Sequence, residues 1–380
     1  MKITLPQSAL AKALNYTSRA VSSKPNIPVL ANILLEVSKD SLHLGATNLD
    51  MGINMWIPGQ VDAEGKVTAS GKLLADFINA ASAASVDISL EGDNLQVVTD
   101  NSRADFQTIP ATEFPVLPKV KGEPAFALPA KEFAEAMDMV AFASSTDFIT
   151  SRIQYSGVLF ESSAESPDKL ILVGLDGYRL SRKELSVKRG SGDELSLIVP
   201  ARSLQELSRI VQTEAVETVE VYVNDNKSQV IFKLADIEVS VRLLEGPFVE
   251  YKRAIPSESA FEFAVARSEL ESAMKVVNTL ARTVQGHRVD WDLDLETAVL
   301  TMRSNAELGK NQTKLKVDGL IGSSDFKAAY SLQFLLDMVA HMPGEVIHFA
   351  ANGPLSAAVF TSDDDAGYLH LVMPLQREDV

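Results

Sequence analysis

A ladder of carboxylates, five histidines and one turn carrying an aromatic and an arginine are the residues here whose types could do chemistry. Asp290-Trp291-Asp292-Leu293-Asp294 spaces three carboxylates two residues apart, which suits a metal-binding DxD and, with a divalent ion, hydrolysis. The same alternation also describes a strand with three carboxylates on its wet face and Trp291 and Leu293 behind. The histidines, at 43, 287, 341, 348 and 370, form no ligand pair at helical spacing. They read as structural, and no metal is expected. Asp363-Asp364-Asp365, just before Gly367, reads as a hairpin turn. Asp176-Gly177 is a turn signal, and Tyr178-Arg179-Leu180 after it is a composition enriched in binding pockets. There is no Walker A loop, no GxGxxG after a strand, no GxSxG elbow and no HExxH. Cysteine is absent, which removes disulfides, thiol nucleophiles and zinc-thiolate sites. No catalytic constellation and no cofactor site emerges, so a non-enzyme is expected.

The elements that position these residues come in repeats. Ile3-Thr4-Leu5-Pro6 leads into Leu10, Ala13, Leu14 and Thr17. Phe126-Ala127-Leu128-Pro129 leads into Phe133, Ala136, Met137 and Val140, and Phe263-Ala264-Val265-Ala266 leads into Leu270, Ala273, Met274 and Val277. Each copy alternates apolar and polar residues, then switches to apolar steps of three and four, which predicts a short strand feeding an amphipathic helix. A weaker repeat aligns Ala69 to Phe77 with Val199 to Leu207 and Tyr330 to Met338. Its core positions are Leu74, Leu204 and Leu335, then Phe77, Leu207 and Met338, with Asp76, Glu206 or Asp337 before the last. That makes two helices per unit and six in all.

Between the helices the pattern is strand-like. In the first unit it covers Val29 to Val37, Leu42 to Ala46 and Val86 to Thr99; in the second, Gly157 to Glu161, Leu170 to Val173, Val219 to Val223 and Gln229 to Leu234. The third shows Val289 to Leu295, Ala298 to Met302, Val346 to Ala350 and Ala357 to Thr361, and closes with Tyr368 to Leu375. Hairpin spacings and turns such as Glu91-Gly92-Asp93-Asn94 predict antiparallel sheets. The fold class is α+β, three similar domains of two helices packed on antiparallel sheet, with boundaries at 1–122, 123–257 and 258–380. The extended, proline-marked segments Phe114 to Pro118 and Phe248 to Pro256 are the linkers.

Net charge is −16, which opposes nucleic-acid binding if spread evenly. It is not spread evenly. The windows 7–21, 70–82, 129–143, 200–212, 266–282 and 328–342 carry +2, 0, −2, +1, +1 and −1, a total of +1, so the rest carries −17. Lys12 and Arg19, Arg202 and Arg209, and Arg267, Lys275 and Arg282 are the helical cations. Solvated faces explain any one helix; six helices lining one surface would make a passage for a polyanion with acidic flanks. No apolar run approaches the ~20 residues of a membrane span. Met1-Lys2-Ile3-Thr4-Leu5 enters the repeat at once, so a cytoplasmic protein is expected.

Three readings stand at this point: a DNA-encircling ring without catalysis, a monomeric peptide-binding scaffold, and a metal-dependent hydrolase using Asp290, Asp292 and Asp294. Head-to-tail contact of first and third units would close a two-fold dimer of six units and twelve helices. Helices about 10 Å apart give a circumference of ~120 Å and a diameter of ~38 Å. Less a helix radius of ~5 Å on each side, the hole is ~28 Å, wider than a duplex.

Separated motifs then carry a resemblance over essentially the whole chain. Lys24-Pro25-Asn26-Ile27-Pro28-Val29-Leu30, Ala46-Thr47-Asn48-Leu49-Asp50, Asp176-Gly177-Tyr178-Arg179-Leu180 and Val199-Pro200-Ala201-Arg202 occur in order. Leu244-Glu245-Gly246-Pro247-Phe248-Val249-Glu250-Tyr251 and Val372-Met373-Pro374-Leu375 follow. The chain closely resembles the bacterial DNA sliding clamp family, beta subunits of the replicative DNA polymerase III holoenzyme. The resemblance implies the DNA clamp fold and a homodimeric ring on double-stranded DNA. It further implies that the ring is opened by an ATP-driven clamp loader and tethers the polymerase catalytic subunit. Other polymerases and repair proteins carrying short clamp-binding peptides are implied partners.

The resemblance also implies a peptide pocket using Tyr155, Leu175, Gly177, Tyr178, Arg179, Leu180 and Val249, with Arg253, Phe334, Leu355, Leu371, Met373, Pro374 and Leu375. Arg179 and Arg253 are expected at its rim. Implied DNA contacts are Lys24, Lys72, Arg152 and Arg202. The implied dimer seam sets Phe77, Ile78 and Phe106 of the first unit against the region of Leu280 in the third. The chain departs from the family pattern at Val249, often proline, at Tyr178, often His, and at Gln376, often basic. Its tail runs on through Arg377-Glu378-Asp379-Val380.

Overall fold

Three short strands, Lys2–Pro6, Phe126–Pro129 and Phe261–Ala266, each run directly into a helix. The helices are α1 (Gln7–Thr17), α2 (Gly71–Ala80), α3 (Ala130–Ala141), α4 (Ala201–Thr213), α5 (Arg267–Ala281) and α6 (Leu332–His341). This computed structural model describes residues 1–22, 24–147, 152–190, 194–322 and 326–376. Pro6 before α1 has φ −61 and ψ 129, and Ala266 before α5 has φ −63 and ψ 128. The bend from strand to helix therefore needs the φ that proline supplies by its ring, and the third copy reaches it without one. The apolar positions of the first repeat all face inward: Leu10, Phe133 and Leu270 are buried, as are Leu14, Met137 and Met274. In the second repeat Leu74, Leu204 and Leu335 are buried, with Leu207 and Met338. Phe77 alone of that set is half-exposed.

The sheets repeat as well. The strand before α1 pairs with Ser85–Glu91, which follows α2. The strand before α3 pairs with Thr218–Val223, and that before α5 with Val346–Ala351, in the same relation to α4 and α6. The strands leading into the second helices, Gly65–Ser70, Leu195–Pro200 and Phe326–Ser331, pair with Asn32–Ser38, Gly157–Ser162 and Arg288–Asp294. These pairings are antiparallel.

The backbone forms two compact units that cut across the repeats. The first comprises Met1–Ala134, Val187–Asp193 and Glu206–Leu243. Within it, Met51–Pro58 of the first repeat pairs with Ile237–Arg242 of the second, so one sheet runs through both. The second unit comprises Glu135–Ser186, Glu194–Gln205 and Leu244–Val380. Within it, Arg179–Ser186 of the second repeat pairs with Tyr368–Val372 of the third. Each junction is thus an edge strand of one repeat laid against an edge strand of the next. No helix among the described residues is long and apolar enough to cross a membrane.

Candidate functional site

The turn at Asp176 is built by its own side chain. Asp176 Oδ1 accepts from the backbone N–H of Tyr178 at 2.9 Å and of Arg179 at 3.0 Å, an Asx-type closure. Gly177 sits at φ +95, where a side chain would be strained and would also meet Tyr155. The turn lifts Tyr178 out, 65% exposed, and sends the chain back as the junction strand Arg179–Ser186.

Beneath the turn lies an apolar floor. Leu175, Leu180 and Leu371 are buried with Leu159, Val173, Ile198, Tyr251 and Ala357, and Tyr155, Val249 and Phe248 pack around them. Tyr251 is fixed by donating its hydroxyl to Glu161 at 2.8 Å. Burial and that carboxylate hold its phenol well above the ordinary range. Met373 donates its backbone N–H to Tyr178 O at 2.8 Å, and Leu375 donates to Ala329 O at 2.8 Å, so the last described residues are laid along the site. Arg288 holds the carbonyl of Gln376 at 2.9 Å. Pro374 lies between these two backbone ties. Leu375 and Leu355, which is 75% exposed, border a groove of about 790 Å³ lined also by Lys327, Ala328, Asn352 and Ser356. The fourteen residues expected to form a pocket all belong to the second unit, where Leu175, Leu180, Leu371, Tyr155 and Val249 share one apolar cluster and Leu355 and Leu375 border the groove. Residues 377–380 of the tail lie outside the described residues.

Arg179 is not at the rim. Its side chain is 11% exposed and its guanidinium is fully engaged. Nε donates to Asp176 at 3.0 Å, Nη1 to Asp337, and Nη2 to Phe142 O at 3.0 Å. The Phe334 ring lies 4.6 Å from Cζ, in cation–π range, and stacks on Tyr178 at 6.5 Å. Arg179 thus fixes one wall, and Arg253 is exposed in the 3-10 turn Tyr251–Ala254, whose Tyr251 belongs to the floor. Behind Arg179, Phe142 stacks between His341 at 4.0 Å and His370 at 5.4 Å. Sequence reasoning missed Phe142 and Lys327, and it named His341 and His370 only as structural residues. The acid recurring in α2, α4 and α6 marked Asp337 but not its partner. Leu180→Ala with Met373→Ala should weaken capture of a partner peptide at least tenfold by removing floor and lip. Fluorescence anisotropy with a labelled short peptide carrying apolar anchors reads this, and unchanged affinity would refute the expected pocket.

The expected DNA contacts are surface cations at helix ends and loops. Lys24 follows α1, Lys72 and Arg202 occupy the second positions of α2 and α4, and Arg152 precedes the turn Ile153–Ser156; all four are exposed. Lys24, Lys72 and Arg202 have no salt bridge among the described residues. Lys12, Arg19 and Lys275 differ: they are held by Glu214 at 2.7 Å, Glu206 at 2.8 Å and Glu271 at 2.6 Å. The helical cations counted in sequence are thus largely neutralised locally.

The carboxylate ladder is neutralised too. Arg288–Asp294 alternates as a half-buried strand with Trp291 and Leu293 inside. Asp290 meets Arg288 at 3.0 Å, Asp292 meets Arg303 at 3.0 Å, and Asp294 caps the turn through the N–H groups of Glu296 and Thr297. No group of three metal-binding side chains occurs among the described residues. Of the expected seam residues, Phe77 and Phe106 are half-exposed and meet edge to face at 5.9 Å, and Leu280 is half-exposed. Ile78 is fully buried within its own unit, so it supports that surface rather than forming it.

Family sequence models cover the chain almost end to end. Those described as DNA polymerase III beta subunit, N-terminal, central and C-terminal domain match residues 1–118, 127–250 and 252–376. The chain belongs to this family. It has the family's three DNA clamp domains. It is 28% identical to the beta sliding clamp of Caulobacter vibrioides over 380 residues, covering 99% of this chain and 100% of that one. Identity to the beta sliding clamp of Synechocystis sp. is 29% over 398 residues, with 99% of each covered. The fold matches the crystal structure of the DNA polymerase sliding clamp from Bacillus subtilis with a TM-score of 0.93 at 21% identity, 100% of both chains covered. It also matches the beta subunit from DNA polymerase of Streptococcus pyogenes, with a TM-score of 0.92 at 23% identity, covering 99% of this chain and 100% of that one.

Proposed function

We propose that the chain is a processivity factor, a non-catalytic sliding clamp that closes as a head-to-tail homodimer around duplex DNA in the bacterial cytoplasm. The repeated junction carries this reading. Each repeat has one edge strand that receives a neighbour and one that is received. Met51–Pro58 with Ile237–Arg242, and Arg179–Ser186 with Tyr368–Val372, use up two of each. Gly309–Lys316 ends its sheet, and Arg103–Ile109 is paired on its outer side only at Thr108 and Ile109. One free edge of each kind per chain is what closure by a second copy requires.

Six domains, bounded in each chain at 1–122, 123–257 and 258–380, would then surround the duplex. Lys24, Lys72, Arg152 and Arg202 would touch phosphates loosely, without reading bases, so that the ring slides. The apolar floor under Tyr178, with Arg253 at its mouth, would take the short peptides of the polymerase catalytic subunit, the clamp loader and other polymerases and repair proteins. The test is topological. Protein loaded on nicked circular duplex should be retained at ~0.2 M salt and lost when the circle is linearised, whereas contact binding would survive linearisation. Equal retention on both forms would refute encirclement.

A further inference from the structure

The outer face of the third repeat's four-stranded sheet differs from the matching face of the first two repeats. Asn32, Gly157 and Arg288 pair with Ser70, Pro200 and Ser331, the residues just before α2, α4 and α6. Leu34, Leu159 and Asp290, two residues further on, are therefore equivalent. Leu34 packs with Phe114 and Leu117, and Leu159 with Phe248 and Tyr251, so in those repeats the following linker covers the face. Around Asp290 the face is charged and open, with Arg303 and Lys327 44% and 47% exposed.

Its cations outnumber what its acids hold. Asp290 meets Arg288 at 3.0 Å, and Asp292 meets Arg303 at 3.0 Å with Lys327 at 3.9 Å. Asp294 caps its own turn. Lys314 and Lys316 are exposed and have no salt bridge among the described residues. Lys327, Asp292, Thr301 and Lys314 are successive cross-strand partners, so they share this face. Lys327 also lines the groove of about 790 Å³ bordered by Leu355 and Leu375. One side chain thus belongs both to the groove and to a positive surface, on a chain whose net charge is −16.

We infer that this face takes the acidic flank of a partner peptide whose apolar anchors occupy the pocket. This rests on the peptide pocket proposed above and adds the chemistry of the segment beside the anchors. Neighbouring strands lie ~4.8 Å apart, so Lys314 is ~14 Å from Lys327, a span of about four extended residues. Carboxylates on such a segment would meet Lys314 and Lys316 at its far end. A nucleic acid is a poorer complement. The aromatics of these strands, Trp291, Phe326 and Tyr330, are all buried, which leaves no ring for a base to stack on. Asp290 and Asp292 would also face a continuous row of phosphates, whereas a peptide carries charge only at chosen positions. Closure by a second copy along Gly309–Lys316 would use the backbone edge of that strand; side chains stand perpendicular to a sheet and stay available.

Three labelled peptides with the same apolar anchors test this by fluorescence anisotropy on the full chain. Two carry a run of about four glutamates, one before and one after the anchors, and the control carries glutamines on both sides. One of the acidic peptides should bind about tenfold tighter than the control at ~0.05 M salt and no tighter at ~0.5 M. Lys314→Glu with Lys316→Glu should erase that gain and leave the control's affinity unchanged, which also shows that the variant folds. No gain from either flank, or a gain that survives in the variant, overturns the proposal and leaves Lys314 and Lys316 as guards of an edge strand. A labelled oligonucleotide bound by the wild type and lost in the variant, with no flank effect on the peptides, would overturn it in favour of a phosphate contact. A control that fails to bind the wild-type chain overturns the pocket reading and the flank with it.

Discussion

Arg179→Ala is expected to lose about 3–5 kcal/mol of unfolding free energy and to abolish peptide capture. The arginine is engaged on three sides by Asp176, Asp337 and the carbonyl of Phe142. Truncation leaves two carboxylates without their cation, one of them, Asp337, only 30% exposed. It also withdraws the guanidinium from the Phe334 face, against which Tyr178 stacks. Arg179→Lys should recover little, because an ammonium cannot serve both carboxylates and the carbonyl with fixed, forked geometry. Urea denaturation would give the stability change. Pairing Arg179→Ala with Asp337→Asn would give a coupling energy above about 1 kcal/mol if the contact contributes as described. A loss below about 1 kcal/mol for the single variant would sink this account.

That role was out of reach of the sequence for a definite reason. The motif Asp176-Gly177-Tyr178-Arg179-Leu180 announced a turn, which Asp176 closes, and suggested a pocket. An arginine beside an exposed tyrosine reads as a second exposed group. Only the fold brings Asp337 from α6 and Phe142 from the end of α3 to it, 158 and 37 residues away. Periodicity located the helices well because the apolar positions 10, 14, 74, 133, 204, 270 and 335 are buried ones, and burial is what the pattern records.

The strands that join repeats were harder. Arg179–Ser186 reads RLSRKELS and Gly309–Lys316 reads GKNQTKLK, so neither has a clean apolar face. An edge strand satisfies its backbone with a neighbouring repeat or a second copy, and that requirement leaves little mark on side-chain polarity. Met51–Pro58 fails differently, being buried on both faces over most of its length and so without alternation. Charge counting failed for a third reason. Lys12 and Arg19 lie 202 and 187 residues from the acids that hold them, so net charge per helix overstated what is available to a phosphate. Lys72 and Arg202, named through the resemblance, hold equivalent places in α2 and α4, where no acid of the described chain meets them.

Acid should lower the stability of the fold through His370. The imidazole is fully buried, stacked on Phe142, with Nδ1 2.7 Å from the Ser181 hydroxyl. Burial first, then Arg179 and His341 nearby, push its pKa from 6.5 down to about 3. The unfolded chain therefore takes up a proton as pH falls through 6.5 and the folded chain does not until about 3. Stability from the neutral ring is complete above the unfolded value and is lost on acidification through that window, by about 1.4 kcal/mol per pH unit. His370→Asn keeps a polar partner for Ser181 and should cost about 1 kcal/mol at pH 7 through the lost stacking. Its stability should then fall less steeply between pH 6 and 4, by the slope of about one proton. Urea midpoints at pH 7, 6, 5 and 4 for both proteins decide this, and parallel curves would exclude His370 as the cause. His370 faces Ser181 across the pairing of Tyr368–Val372, which carries Leu371, with Arg179–Ser186, which carries Leu180, so these strands pair only around a neutral ring. The loss of stability over this window thus comes from the unfolded chain, because the folded ring takes no proton until about 3.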